Sequence, residues 1–146
     1  MDSRIGFLLL AGLAGAAMAF QGSLNTVLGR VTGLMPATLA VHAVGAATAA
    51  LLLLFPLGEA SLAKLLQAPW YAYLGGVLGV LIIYSVVASI PRLGVAVATT
   101  AIIVGQVGLA MLIDHYGLFG LQKAPFTWLK LGGLALLAIG ARLMLN

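Results

Sequence analysis

The sequence predicts an all-α integral membrane protein with five transmembrane helices. Of its 146 residues, 63% are hydrophobic and only 7% are charged, whereas an average soluble chain carries about 25% charged residues. The apolar residues also form five long runs, and a hydrocarbon core about 30 Å thick requires about 20 apolar residues per helix. A soluble domain of this size has no interior large enough for so much apolar surface.

Prolines mark most of the predicted helix starts. Four of them lie at or just before a first turn, where a missing N–H group costs no helical hydrogen bond; they are Pro36, Pro69, Pro91 and Pro125. Pro56 ends the second run. The predicted spans cover residues 5–28, 36–55, 69–90, 92–114 and 125–144. Because the loops between them are short and no linker is visible, we expect one transmembrane domain over residues 1–146.

The five predicted helices differ in what they carry besides apolar residues. The first follows Arg4 and resembles a secretory signal peptide, but its apolar run continues to about Leu28, so we expect it to be retained. The second contains a histidine, the third begins with aromatic residues typical of a membrane interface, and the fourth contains a glutamine. The fifth has no polar side chain between Leu131 and Ala141.

Positive charges are almost evenly divided between the two predicted membrane faces. The face of the N-terminus carries four, Arg4, Lys64, Lys123 and Lys130, and the opposite face carries three, Arg30, Arg92 and Arg142. An excess of Lys and Arg on one face normally fixes the orientation. Our hypothesis is therefore that the chain inserts both ways and forms an antiparallel homodimer of ten helices. The alternative is that the small excess suffices to keep the N-terminal face in the cytoplasm.

Polar side chains from four predicted helices share one depth in the bilayer. At a rise of about 1.5 Å per residue they lie about 7–13 Å below the face of Arg30 and Arg92; they are Gln21, Asn25, His42, Tyr84, Ser85 and Thr99. We interpret this layer as the lining of a substrate site. Hydrogen bonding between helices is the alternative, with Asn25 and His42 bonded to each other, and His42 then has only a structural role.

A second polar region occurs in the fourth predicted helix. Gln106 lies about 12 Å below the N-terminal face, and we add it to the predicted substrate-binding residues. Asp114 and His115 lie at the end of the same helix. An acid beside a histidine suggests a gate or a proton site, and a helix end in contact with water is the alternative.

Three stretches resemble a known family. They are FQGSLNTVLGR at 20–30, PRLGVAVA at 91–98 and GQVGLAMLIDHYGLFG at 105–120, in which Gln106, Asp114, His115 and Gly117 match. Over nearly its full length the chain resembles the small five-helix, YdcZ-like branch of the drug/metabolite transporter (EamA-like) superfamily. Larger relatives fuse two such halves with inverted topology, so the resemblance implies an unfused half and a small-molecule transporter, often an exporter of metabolites or drugs.

One departure from a neighbouring group bears on the mechanism. The four-helix small multidrug transporters use a glutamate in their first helix as a shared proton and cation site. Here the first span contains no acid after Asp2, and its polar positions are amides. We therefore expect a neutral, zwitterionic or amphipathic substrate, carried by alternating access in the inverted dimer. The alternatives are a membrane assembly or regulatory subunit without transport activity and a proton-coupled multidrug antiporter.

The composition also predicts what the protein does not do. We expect that the protein is not an enzyme. Intramembrane catalysis requires a nucleophile with a base or a set of metal ligands, and a chain without cysteines offers no thiol for either purpose. We expect no metal or other cofactor. Nucleic acid is not an expected partner, because the basic residues form no cluster. The expected partners are a small-molecule substrate, membrane lipid and a second copy of the chain, in the cytoplasmic (inner) membrane of a bacterium.

Overall fold

The computed structural model describes residues 3–55 and 62–144, and this part of the chain is entirely helical or irregular. The α-helices are α1 (Ser3–Thr32), α2 (Leu34–Leu52), α3 (Leu74–Leu93), α4 (Val95–Tyr116) and α5 (Trp128–Leu143). Short 3₁₀ helices cover Leu62–Gln67, Trp70–Tyr73 and Leu118–Gly120. The predicted all-α class is confirmed. Pro56, which we expected to end the second span, lies outside the described residues.

Four of the helical segments have the length and composition to cross a membrane. They are Arg4–Thr32, Leu34–Leu52, Trp70–Leu93 and Val95–Tyr116. Helix α5 has 16 residues, which at about 1.5 Å per residue is about 24 Å, short of a hydrocarbon core about 30 Å thick. Its shortness has a local cause, since residues 121–127 are irregular and Thr127 caps the helix by accepting the Lys130 N–H. The fifth span stays a prediction.

A single glycine, rather than a proline, separates α1 from α2 and α3 from α4. Gly33 lies between α1 and α2 with φ 87°, and Gly94 lies between α3 and α4 with φ 81°. A positive φ is accessible to glycine at little cost and strained for other residues. Pro91, expected at the start of the fourth span, instead lies inside the last turn of α3. The break falls three residues later, at Gly94, because glycine permits the positive φ at which the helix is interrupted.

The two glycine breaks also share a sequence pattern that runs of apolar residues do not reveal. Each glycine is followed four residues later by an alanine and then a threonine, at 37–38 and 98–99. In both cases the alanine N–H donates to the glycine carbonyl, at 3.2 and 3.1 Å. Both alanines are buried, which lets the first turn of the second helix pack closely.

The described helices group into two units, Met1–Pro91 and Arg92–Asn146. Within the first unit α2 packs along α1, and α3 contacts α1 at Gly22 and Gly29. Within the second unit α4 packs along α5, with Gly108 close to Leu134. The missing side chains let helix backbones approach, which is how helices associate in lipid.

Most of the large apolar side chains lie on the surface. The described chain buries only four hydrophobic residues, and two of them are alanines: Ala37, Val87, Ile90 and Ala98. By contrast Trp128 and Leu129 are 82% and 89% exposed. Soluble monomers rarely expose contiguous apolar patches larger than a few hundred Å². An apolar exterior with little interior is the arrangement that a lipid environment stabilises.

Candidate functional site

Helix α1 uses two neighbouring faces for two different purposes. Gly22 and Gly29, seven residues apart, face α3: a Cβ at Gly22 would lie 3.1 Å from Cγ1 of Val86, and one at Gly29 would lie 2.5 Å from Cγ1 of Val87. Gln21 and Asn25, one helical turn apart, line a cavity against α2 instead. The i, i+4 and i, i+7 spacings place each set on one side of the helix.

The cavity between α1 and α2 has a volume of about 290 Å³ and is open on one side. Two carboxamides supply its polar groups, and aliphatic or small residues supply the rest of the lining: Gln21, Asn25 and Leu28 from α1, and Ala40, Val41, Val44 and Gly45 from α2. Ligand sites typically occupy about 300–1,000 Å³ and combine apolar walls with a few polar groups. This cavity has that composition, and its volume of about 290 Å³ is just below that range.

Asn25 is buried without a hydrogen-bond partner. It is 7% exposed, and its side chain bonds to none of the described residues. The hydroxyl groups of Ser23, Thr26 and Thr38 are satisfied within their own helices, because each donates to the carbonyl oxygen four residues earlier at 2.8–3.0 Å. No fully enclosed side-chain nitrogen or oxygen is unpaired among the described residues, so the unbonded amide atoms of Asn25 are accessible from the cavity that the residue lines. The Asn25 carboxamide is therefore available to a molecule that enters the cavity.

Gln21 is the exposed member of the pair. It lies at the rim of the same cavity, and the described chain offers its side chain no hydrogen bond either. Cβ atoms four residues apart on a helix are about 5–6 Å from each other. The two carboxamides are thus close enough to contact one small molecule together.

His42 faces away from this cavity. Its Nδ1 lies 2.8 Å from the carbonyl oxygen of Thr38; because a carbonyl only accepts, Nδ1 carries the hydrogen, and in the neutral ring Nε2 is an acceptor. That Nε2 lies 3.2 Å from the position of a Cβ on Gly79 of α3. The bond between His42 and Asn25 that we gave as an alternative is not formed, because Nδ1 is bonded to its own helix one turn back and Nε2 lies beside Gly79 of α3.

The remaining predicted binding residues lie at several places on the two units. Tyr84 and Ser85 are exposed on α3, and neither lines the α1–α2 cavity. In the second unit Thr99 is half-buried in the second turn of α4, and Gln106 is exposed two turns further on. The structure thus brings Gln21 and Asn25 together, and the wider polar layer stays a prediction.

Asp114 and His115 end α4 and hold the chain that follows. The Phe126 N–H donates to Nδ1 of His115 at 3.1 Å, and the Ala124 N–H donates to the backbone oxygen of Asp114 at 2.9 Å. The chain turns at Gly117, whose φ of 64° is left-handed. In this arrangement Nδ1 of His115 is unprotonated, because it accepts a backbone N–H. The histidine that we predicted as a gate or proton site therefore fastens residues 124–126 to the end of α4.

Sequence reasoning missed the apolar lining of the cavity. Leu28 follows Gln21 by seven residues and lies on the same face of α1, so the helical period was sufficient to find it. Val41, Val44 and Gly45 of α2 recur at three- and four-residue intervals, which is typical of one helix face. In a chain this apolar, however, every helix offers several such faces, and only the packing identifies the one that borders the amides.

A family comparison decides the class of protein. Residues 6–143 match the family described as "Putative inner membrane exporter, YdcZ". The chain belongs to the YdcZ family. The resemblance seen in the sequence is thereby confirmed over nearly the whole chain, and so is its location in the inner membrane, together with the four apolar helices. The description of the YdcZ family is that of a transporter rather than an enzyme. No curated relative and no solved structure matches the chain.

Proposed function

We propose that this YdcZ-family chain exports a small neutral, zwitterionic or amphipathic metabolite. The observation that carries the proposal is the cavity between α1 and α2, to which the largely buried residue Asn25 presents a carboxamide that bonds to no described residue. A structural hydrogen bond would pair the amide within the chain, whereas a transport site must leave it free between substrates. The family description, an inner membrane exporter, supports the same class of function.

The full site in this proposal includes more residues than the cavity. Gln21 and Asn25 contact the substrate first, and the rest of the polar layer completes the lining: His42, Tyr84, Ser85, Thr99 and Gln106. Asp114 and His115 act at the end of α4, where the loop held by His115 opens or closes a path. No cofactor or metal takes part.

The proposed transporter is an antiparallel homodimer that works by alternating access. Transporters built from inverted repeats place their substrate sites near the bilayer midplane, at the interface between the repeats. An inverted copy supplies the same polar layer from the opposite side of the midplane. The near balance of four against three positive charges on the two predicted faces supports insertion in both orientations.

Coupling to a proton through a carboxylate in the membrane interior is the less favoured mechanism. Among the described helices the only acidic side chain is that of Asp114, in the last turn of α4. The amides of α1 recognise substrates without changing charge. A flux that requires an imposed pH gradient would favour the proton-coupled multidrug antiporter instead.

Transport itself is tested in inverted vesicles from cells that overproduce the chain. The vesicles receive a defined mixture of amino acids, amino-acid amides and aromatic amines, and mass spectrometry measures what accumulates. We expect at least one compound to reach a higher concentration in these vesicles than in vesicles that lack the protein. Asn25→Leu should lower the initial rate of its uptake about tenfold, the equivalent of one hydrogen bond of about 1.4 kcal/mol. Gln67→Leu is the matched control, because Gln67 is an exposed amide outside the cavity.

The result separates the carrier from its alternative. An Asn25→Leu rate equal to that of wild type would remove the cavity from the transport path. No accumulation of any compound, together with a weakened dimer in Asn25→Leu, would favour the assembly or regulatory subunit. The orientation is tested separately with reporters fused to the C-terminus: activity of both a cytoplasmic and a periplasmic reporter is expected, and activity of only one contradicts the antiparallel dimer.

A further inference from the structure

We infer that the cavity between α1 and α2 takes a neutral molecule that carries a hydrogen-bond donor and an acceptor side by side, on a small aliphatic body. A primary carboxamide, a lactam and a ureido group all present such an edge. The inference rests on the proposed function, because it names the substrate class of that site. Of the neutral, zwitterionic and amphipathic molecules in that proposal, it selects the neutral ones as the substrate class.

The chemistry of the amides determines the polar part of the ligand. A carboxamide offers a carbonyl oxygen that accepts and an NH₂ group that donates. It pairs through two bonds with any edge that has a donor beside an acceptor, as Asn and Gln do with the edge of adenine. Asn25 has both groups unpaired among the described residues, and because no fully enclosed side-chain nitrogen or oxygen is left unpaired there, these amide atoms are accessible from the cavity that they line. A ligand with only donors or only acceptors pairs with only one of the two groups of the carboxamide.

The absence of charge in the cavity lining determines the net charge of the ligand. None of the seven residues around the cavity is ionisable. An ammonium or carboxylate that entered would lose its hydration without gaining an opposite charge, which is strongly unfavourable in an apolar environment. The cavity therefore discriminates against cations, anions and zwitterions whose charged groups must enter it.

The walls determine the size and shape of the apolar part. Leu28, Val41 and Val44 supply branched aliphatic surface, and Gly45 leaves room where a side chain would otherwise stand. A volume of about 290 Å³ accommodates a compact molecule rather than a large drug. A branched chain of four or five carbons fills such a space and contacts both helices.

Three probes with the same branched body isolate the charge and the polar edge. They are 3-methylbutanamide, 3-methylbutanoate and 3-methylbutylamine, which at pH 7 are neutral, anionic and cationic. The chain contains only two asparagines, Asn25 and Asn146, so ¹⁵N-asparagine labelling of the full chain in lipid bicelles gives two side-chain NH₂ signals. Asn25 reports on the cavity and Asn146, at the end of the chain, serves as the internal control.

We expect the amide to shift the Asn25 signal in a saturable way and to leave Asn146 unchanged. The anion and the amine should need at least tenfold higher concentration for the same shift. Gln21→Leu should raise the half-saturating concentration of the amide about tenfold, the equivalent of one lost hydrogen bond, while Gln21→Asn restores part of it. Gln67→Leu, outside the cavity, should leave the titration as in wild type.

Two results would overturn the inference. One is an Asn25 signal that moves equally with all three probes, because the cavity then does not select for charge. The other is an Asn25 signal that none of the probes moves while the protein remains folded, as judged by unchanged backbone signals. Failure of the carrier proposal looks different: the amide binds at Asn25 but no compound crosses the vesicle membrane. If a compound crosses and depends on Asn25 while the amide does not bind, the carrier stands and the substrate class is wrong.

Discussion

Gly29→Ala tests the contact between α1 and α3, which positions the face of α1 that carries the amides. A Cβ at residue 29 would lie 2.5 Å from Cγ1 of Val87, closer than real Cβ atoms pack. Val87 is 2% exposed, so its side chain cannot turn out into the surroundings without losing packing. Overpacking of this kind costs about 1–3 kcal/mol, whereas Gly→Ala in an open helix gains up to about 1 kcal/mol from helix propensity.

The matched control lies on the same helix. A Cβ at Gly15 meets no atom within 4 Å, so Gly15→Ala should be neutral or slightly stabilising. The assay is reversible unfolding by sodium dodecyl sulfate in mixed micelles, followed by circular dichroism, which gives the free energy of unfolding of each variant. We expect Gly29→Ala to be less stable than Gly15→Ala by about 2 kcal/mol, which is the cost of overpacking alone because the gain in helix propensity is the same at both positions.

A double variant identifies the contact responsible. If the added methyl group clashes with Val87, then Val87→Ala creates the space that the methyl group needs. The double variant Gly29→Ala/Val87→Ala should therefore be more stable than the sum of the single changes by about 1 kcal/mol or more. Strict additivity, or a Gly29→Ala variant as stable as Gly15→Ala, would refute the packing of α1 against α3.

Two further variants test local features of the second unit. Gly94→Ala should lower the midpoint of the unfolding transition by the equivalent of about 1–2 kcal/mol, because the φ of 81° is strained for alanine; a midpoint equal to that of Gly105→Ala, whose added methyl group meets no atom within 4 Å, would contradict the backbone assignment. His115→Leu removes the acceptor of the Phe126 N–H, so hydrogen exchange at that amide should accelerate about fivefold, the equivalent of a bond worth about 1 kcal/mol. His115→Gln, which keeps an acceptor, should retain part of the protection, and an unchanged exchange rate in His115→Leu would show that the bond does not hold residues 124–126.

The helices themselves were largely predictable from the sequence. Runs of about 20 apolar residues leave a chain in lipid few options other than helices, because every backbone group must be bonded internally. The closeness of Gln21 to Asn25 followed from the same geometry, since residues four apart share a helix face. The breaks were placed less well, because Gly33 and Gly94 interrupt the helices with a positive φ that no hydrophobic pattern signals.

The orientation of side chains around each helix was not predictable. His42 and Asn25 have similar depths, and a depth estimate cannot tell that the imidazole turns toward Gly79 while the amide turns toward α2. That choice depends on the rotation of the helices, which close packing at Gly22 and Gly29 determines. The bond between His115 and the Phe126 N–H joins residues eleven apart across an irregular loop, so no periodic pattern predicts it.

The most direct test of the central claim is whether water and substrate reach the cavity between α1 and α2 in the membrane. The chain has no cysteine, so Val41→Cys, at the cavity, and Leu39→Cys, on an exposed apolar part of α2, each introduce a single thiol. Thiols react as thiolates and need water to ionise. We predict that a methanethiosulfonate reagent modifies Val41→Cys in native vesicles, that 3-methylbutanamide slows the modification, and that Leu39→Cys stays unmodified. Equal inertness of the two thiols would contradict a wet, substrate-accessible cavity between these helices.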